Sequence, residues 1–167
     1  MSISAVRVGQ GFDIHRFSDD PSRALILGGV HFVGERGLEG HSDADVIAHA
    51  CADALLGAAG LGDIGQHFAD TDPAWKGVDS LIILDQVSVM VRSQGWLIGN
   101  IDCSVVCEQP KLAPRRDEMQ DKLSKTAGTT VSVKGRRAEG LGALGRQEGI
   151  ACWAVAVLFQ VDHRSEV

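Results

Sequence analysis

Val6 and Val8 alternate with Arg7 and Gly9 up to Phe12, a period of two that predicts a first β-strand. Apolar runs over 24–27 and 30–33 flank Gly28-Gly29, so a two-residue hairpin turn is predicted between two short strands. Ser42 with Asp45 three residues on marks a helix start, and Val46, Ile47, Ala50, Ala54 and Leu55 then recur at helical spacing up to Gly57 or Gly60. Periodicity fades over 60–77, which predicts a long ordered or lid-like loop of the kind that carries function in small domains. Asp79 or Ser80 can cap a second helix through Leu81, Leu84, Val87 and Val91, stopped by Gly95, and a strand pattern resumes over 96–106. Pro110 and Pro114 suit a loop and the first turn of a third helix ending near Gly128. Segments 130–133 and 150–161 read as the last two strands.

Hairpins mixed with helical crossovers predict an α+β fold: one mixed, largely antiparallel sheet with helices on one face. The segment 152–159 is apolar on both of its faces, so the face without helices needs a partner and assembly through the sheets is expected.

Composition narrows the class. The chain has 167 residues, 44% of them hydrophobic and 23% charged, which suits a single domain over 1–167 with a core at about 6–159 and short flexible tails. No run approaches the ~18 apolar residues of a membrane span. Met1-Ser2-Ile3-Ser4-Ala5 has no basic region leading into a long apolar run, so a cytoplasmic location is expected. Cys51, Cys103, Cys107 and Cys152 show neither disulfide-framework nor zinc-knuckle spacing. A net charge of −6 argues against nucleic-acid binding, so positive charge for an anionic ligand must be local.

Asp13-Ile14-His15 puts a carboxylate and an imidazole on the same side of an extended segment, a pattern suited to chelating one metal. By itself this motif is most often a turn Asp and a surface His. His49 lies four residues from both Asp45 and Asp53 on the first helix, one polar stripe in which a ligating imidazole would find a carboxylate for its second nitrogen. A solvated face with incidental ion pairs is the plainer reading of that stripe. Asp13, His15 and His49 would form a catalytic zinc set with an open position, and Mn²⁺ or Fe²⁺ suits the same ligands. Lys134-Gly135-Arg136-Arg137-Ala138-Glu139 supplies local cations, or else a basic surface turn.

Taken in order, Gly11-Phe12-Asp13-Ile14-His15, Gly40-His41-Ser42-Asp43-Ala44-Asp45, Gly62-Asp63-Ile64-Gly65, Asp70-Thr71-Asp72-Pro73, Pro110-Lys111-Leu112, Glu139-Gly140-Leu141-Gly142 and Glu148-Gly149-Ile150 carry a family likeness. Over about 6–159 the chain resembles the 2-C-methyl-D-erythritol 2,4-cyclodiphosphate synthase family. The resemblance implies a homotrimer with sites between subunits, a CDP-linked small-molecule substrate and release of CMP. It implies a zinc-like ion on Asp13, His15 and His49, and a second ion, Mg²⁺ or Mn²⁺, held with Glu139. His41 and Ser42 would contact the erythritol phosphate, Asp63, Ile64, Gly65, Phe68, Ala69, Asp70, Thr71 and Asp72 the methylerythritol part, and Cys107, Pro110, Lys111, Leu112 and Ala113 the cytidine end. Asp13, Ile14, His15, Arg136, Arg137 and Arg146 join the substrate contacts, with His41 and Arg137 as the catalytic candidates.

Three positions depart from the family pattern. Arg137 stands where a Thr polarises a phosphate, Cys107-Glu108-Gln109 precedes Pro110, and Ala143 replaces an aromatic near the trimer axis, where a prenyl diphosphate could enter a central cavity. A metal phosphohydrolase and a trimeric binding relative without turnover are the competing functions.

Overall fold

The computed structural model describes residues 2–162. The N-terminal alternation becomes one long strand, β1 (Ser2–Arg16), antiparallel to β6 (Gly149–Asp162), which is one residue shorter. Residues 2–5 are therefore strand rather than tail, and the tail expected after 159 falls mostly outside the described residues. On its other edge β6 pairs antiparallel with β4 (Leu97–Val106), which pairs in parallel with β5 (Thr130–Arg136), giving the order β1-β6-β4-β5. The mixed, largely antiparallel sheet is as expected, but a second sheet stands apart from it. β2 (Leu25–Leu27) and β3 (Val30–Phe32) form a separate hairpin, reversed by Gly28 and Gly29 at φ of 57° and 71°, and it packs against helices instead of extending the main ladder.

Three helices cover one face of the sheet: α1 (Val46–Ala59) on β1 and β6, α3 (Ser80–Ser93) on α1 and β4, and α4 (Arg116–Ala127) on β5. α4 is the crossover that the parallel β4–β5 pair requires. The stretch expected as loop over 60–77 contains a short helix, α2 (Ile64–His67), and a 3₁₀ turn, Pro73–Trp75, capped by the side chains of Asp63 and Asp72.

α1 starts at Val46 and not at Ser42. Asp45 is its N-cap, in extended conformation, accepting the amides of Ile47 and Ala48 at 3.1 and 3.2 Å. The same carboxylate accepts the amides of Gly28 and Gly29 at 2.9 and 2.6 Å, tying the hairpin to the helix. Burial and the neighbouring Asp43 charge push its pKa up to about 6, against the pull of these amides.

The close seating of α1 on β1 rests on two glycines. A Cβ on Gly9 would lie 2.1 Å from the Ala54 carbonyl oxygen, and one on Gly11 2.0 Å from that of Ala50. Helix backbone therefore rests against strand backbone, with Ala50, Ala54 and Ala58 buried in the contact. Farther along the same face of β1 come Asp13 and His15, and the tight approach carries His49 of α1 up to them.

Inside the core, Cys51 and Cys103 bring their sulfurs to 3.3 Å, and Cys152 is buried as well. All four cysteines are buried free thiols. The other face of the sheet is bare: Val6, Val8, Phe12, Ile14, Leu97, Trp153 and Val155 are between 37% and 66% exposed, with the Phe12 and Trp153 rings 4.8 Å apart. Lys134 turns to this face and pairs with Asp102, so it does not join the cations of the loop that follows β5. No helix among the described residues is long and apolar enough to cross a membrane.

Candidate metal centre and substrate cavities

Asp13 and His15 leave the same face of β1, and the glycine-seated helix brings His49 beside them. Asp13 Oδ2 lies 3.0 Å from both His15 Nε2 and His49 Nδ1, and the two nitrogens are 3.4 Å apart. One carboxylate oxygen and two imidazole nitrogens thus converge on a point, which is the donor set and reach of a divalent transition-metal site.

The electrostatics of the metal-free triad agree. Burial acts to raise the Asp13 carboxyl, but hydrogen bonds from His15 and His49 and their charge outweigh it and hold it well below the usual carboxylate range. Burial acts to lower His15, yet the hydrogen bond and charge of Asp13, helped by the Glu39 carbonyl, raise it. Without metal, the pair's contribution to stability is lost as pH falls through the depressed Asp13 value and again as pH rises through the raised His15 value. A divalent cation at the same point would take the place of the proton.

His49 does not use the partners expected for it. Asp45 is spent on the hairpin and helix cap, and Asp53 accepts the Ile64 amide at 3.2 Å. Its Nε2 instead meets two hydroxyls, Ser80 Oγ at 2.8 Å and Ser42 Oγ at 3.1 Å. The periodicity that placed a carboxylate stripe on the helix gave no sign of Ser80.

The triad forms part of the wall of a cavity of about 340 Å³. Of the residues expected near the substrate, His41, Ser42, Ile64, Gly65, Phe68, Ala69 and Asp70 line it, joined by Trp75 and Ile83, which the sequence did not single out. Phe68 and Trp75 meet edge to face at 4.9 Å and make an apolar wall. His41 is anchored through Nε2 to the Asp72 carbonyl at 2.8 Å, and its own carbonyl accepts the Gly77 amide at 2.8 Å, so the loop is fastened to the segment before α1. Asp63 and Asp72 act as caps, Thr71 is exposed, and Ile14 emerges on the bare face of the sheet.

A second cavity, of about 230 Å³, lies between the loop after β4 and the end of β5. It gathers Cys107, Pro110, Lys111, Leu112 and Ala113 with Gly135, Arg136 and Arg137. Burial, aided by the Glu108 charge, pushes the Cys107 thiol up to about 11. Arg136 donates to the Gly135 carbonyl at 2.9 Å. Arg146 pairs with Glu148 at 2.7 Å, and Glu139 sits exposed in the turn beyond β5. The two cavities share no lining residue.

Residues 6–159 match the model of the YgbB family. A 2-C-methyl-D-erythritol 2,4-cyclodiphosphate synthase of Nostoc sp. is 52% identical over 164 residues, covering 96% of this chain and 98% of that protein. The structure of the bifunctional IspDF of Campylobacter jejuni superposes with a TM-score of 0.90 at 40% identity, covering 96% of this chain and 44% of that one. IspF of Plasmodium falciparum, in a CDP complex, gives a TM-score of 0.82 at 32% identity, covering 96% of this chain and 100% of that one. Agreement in sequence and in backbone therefore extends over nearly the whole chain, and on that ground it belongs to the YgbB family.

Proposed function

We propose that this chain is a cyclodiphosphate synthase of isoprenoid precursor synthesis. It converts 4-diphosphocytidyl-2-C-methyl-D-erythritol 2-phosphate into 2-C-methyl-D-erythritol 2,4-cyclodiphosphate and CMP, as a phosphorus–oxygen lyase. The observation that carries this reading is the convergence of Asp13, His15 and His49 on a cavity in a chain half identical to a synthase of that name.

In the reaction, an oxygen of the 2-phosphate attacks the β-phosphorus in line, and the bond from that phosphorus to the CMP oxygen breaks. The attacking oxygen is already anionic, so no general base is needed; the demand is on orientation and on gathering negative charge. Zn²⁺ at the triad, with Mg²⁺ or Mn²⁺ held by Glu139, would supply positive charge to the phosphoryl oxygens. His41 and Ser42 hold the phosphate, while Ile64, Gly65, the Phe68–Trp75 wall, and Ala69 and Asp70 enclose the methylerythritol carbons and hydroxyls. Asp63, Thr71 and Asp72 shape that loop. Cys107, Pro110, Lys111, Leu112 and Ala113 take the cytidine end, and Arg136 and Arg137 reach the diphosphate, with Arg146 at the turn.

One substrate must touch both the triad and the Arg-lined cavity, yet these share no residue on one chain. A homotrimer joined through the bare sheet faces resolves this by pairing the triad of one subunit with the basic loop of its neighbour. A central cavity near Ala143 would admit a prenyl diphosphate, and the enzyme works in the cytoplasm.

The test is incubation with the CDP-linked substrate before and after chelation, with products followed by phosphorus NMR. Cyclic diphosphate and CMP from the metal-loaded protein alone bear out the reading. Ring-free phosphates would make it a metal phosphohydrolase, and tight substrate binding without CMP release a non-catalytic relative.

A further inference from the structure

His49 is the helix-borne member of the triad, and the ring nitrogen facing away from Asp13 is not in water. Its Nε2 is 2.8 Å from the Oγ of Ser80, which is fully buried, and 3.1 Å from the Oγ of Ser42, which is 6% exposed. The two hydroxyl oxygens are 3.2 Å apart. Ser80 Oγ is also hydrogen-bonded to Asp43 Oδ1, and the second oxygen of Asp43 accepts the Ser80 amide at 3.2 Å. Ser42 Oγ accepts the Ala44 amide at 3.2 Å.

The protons in this chain can be assigned. A carboxylate only accepts, so the Ser80 hydroxyl donates to Asp43. Ser80 then has only lone pairs left, to accept from the Ser42 hydroxyl and from His49. That places an imidazole proton on Nε2, so that when a metal displaces the proton Nδ1 shares with Asp13 Oδ2, 3.0 Å away, Nδ1 is the nitrogen left with a lone pair. We propose that Ser80 and Asp43 are positioning residues that hold His49 in its Nε2-protonated tautomer and so set the affinity of the triad for its metal. The proposal rests on the metal-centre reading and extends it by two residues that belong neither to the triad nor to the cavity wall.

Helix capping does not account for the Ser80 hydroxyl. α3 is capped by Asp79, which accepts the Leu81 amide at 2.8 Å.

The metal-free protein and the variants Ser80→Ala, Ser80→Thr and Asp43→Asn are titrated with Zn²⁺ against a chromophoric competitor, and the His49 ring is followed by nitrogen NMR. Wild type should bind one equivalent with Nε2 protonated. Ser80→Ala should bind about 10- to 100-fold more weakly with mixed tautomers while remaining folded without metal, and Asp43→Asn should weaken binding similarly. Ser80→Thr, which keeps the hydroxyl, should restore wild-type affinity. Affinity within about twofold of wild type in Ser80→Ala overturns the proposal. If Ser80→Ala does not fold, Asp43→Asn decides by the same criterion. A wild type that takes up no metal overturns instead the metal reading beneath it.

Discussion

Arg137 follows the last residue of β5, exposed and without a hydrogen-bond or ion-pair partner among the described residues, on the wall of a cavity that Lys111 also lines. A cation left free at the rim of a site is suited to paired hydrogen bonds with a phosphate. Arg137→Ala is therefore expected to raise KM and lower kcat together, by roughly 2 to 4 kcal/mol in kcat/KM, with a smaller loss for Arg136→Ala. Steady-state kinetics check this; a kcat/KM within about twofold of wild type would assign the phosphate to backbone amides around Gly135 instead. At this scale the ligands themselves were legible, because Asp13 and His15 share a strand face and their chemistry is local. The support of His49 was not. The sequence offered Asp45 and Asp53 by helical spacing, but Asp45 is consumed at the helix N-terminus and Asp53 by the Ile64 amide. Ser80 comes from another helix, and no periodicity relates it to His49.

Among elements, the pairing of α1 with β1 decides whether the triad exists. A methyl group on Gly11 would meet the Ala50 carbonyl at 2.0 Å, a backbone atom that can yield only if the helix moves. Gly11→Ala is expected to cost about 3 kcal/mol or more in stability and over tenfold in metal affinity, as His49 withdraws from Asp13. Gly57→Ala is the contrast. Its new methyl would meet nothing closer than the Gln10 carbonyl oxygen at 3.8 Å, so helix propensity should stabilise the protein by about 0.5 to 1 kcal/mol. Thermal unfolding and metal titration of both variants test the pair of expectations. The longer elements were readable because their apolar spacing is regular, as for α3 from Leu81 to Val91. α2, the turn at Pro73–Trp75 and the last residues of β5 were not. The first two are single turns held by Asp caps, and β5 runs on through Gly135 and Arg136 because the parallel ladder opposes them to Val105 and Val106.

The whole molecule leaves an apolar sheet face uncovered. The need for a partner there was visible in the two-sided apolarity of 152–159, but the contribution of β1 was visible only once its even-numbered residues were seen to point away from α1. Val8, midway along the edge strand β1, is 66% exposed on this face, so an Asp there has no core contact to disrupt. Val8→Asp is expected to sediment as a folded monomer that still takes up metal at the triad but releases no CMP. A trimer of wild-type stability carrying that substitution would remove the sheet face from the interface.

The proposed trimer, which pairs the triad of one subunit with the basic loop of its neighbour, has a consequence for mixtures. A chain with His49→Ala keeps an intact basic loop, and a chain with Arg137→Ala keeps an intact triad. Each is strongly impaired alone, but unfolded together and reassembled as that trimer they place some good triads against good loops. With random association about one junction in four carries both sound halves, so the blend should recover up to about a quarter of wild-type turnover. Two broken enzymes would then complement each other in the test tube, and two defective alleles in one cell could do the same.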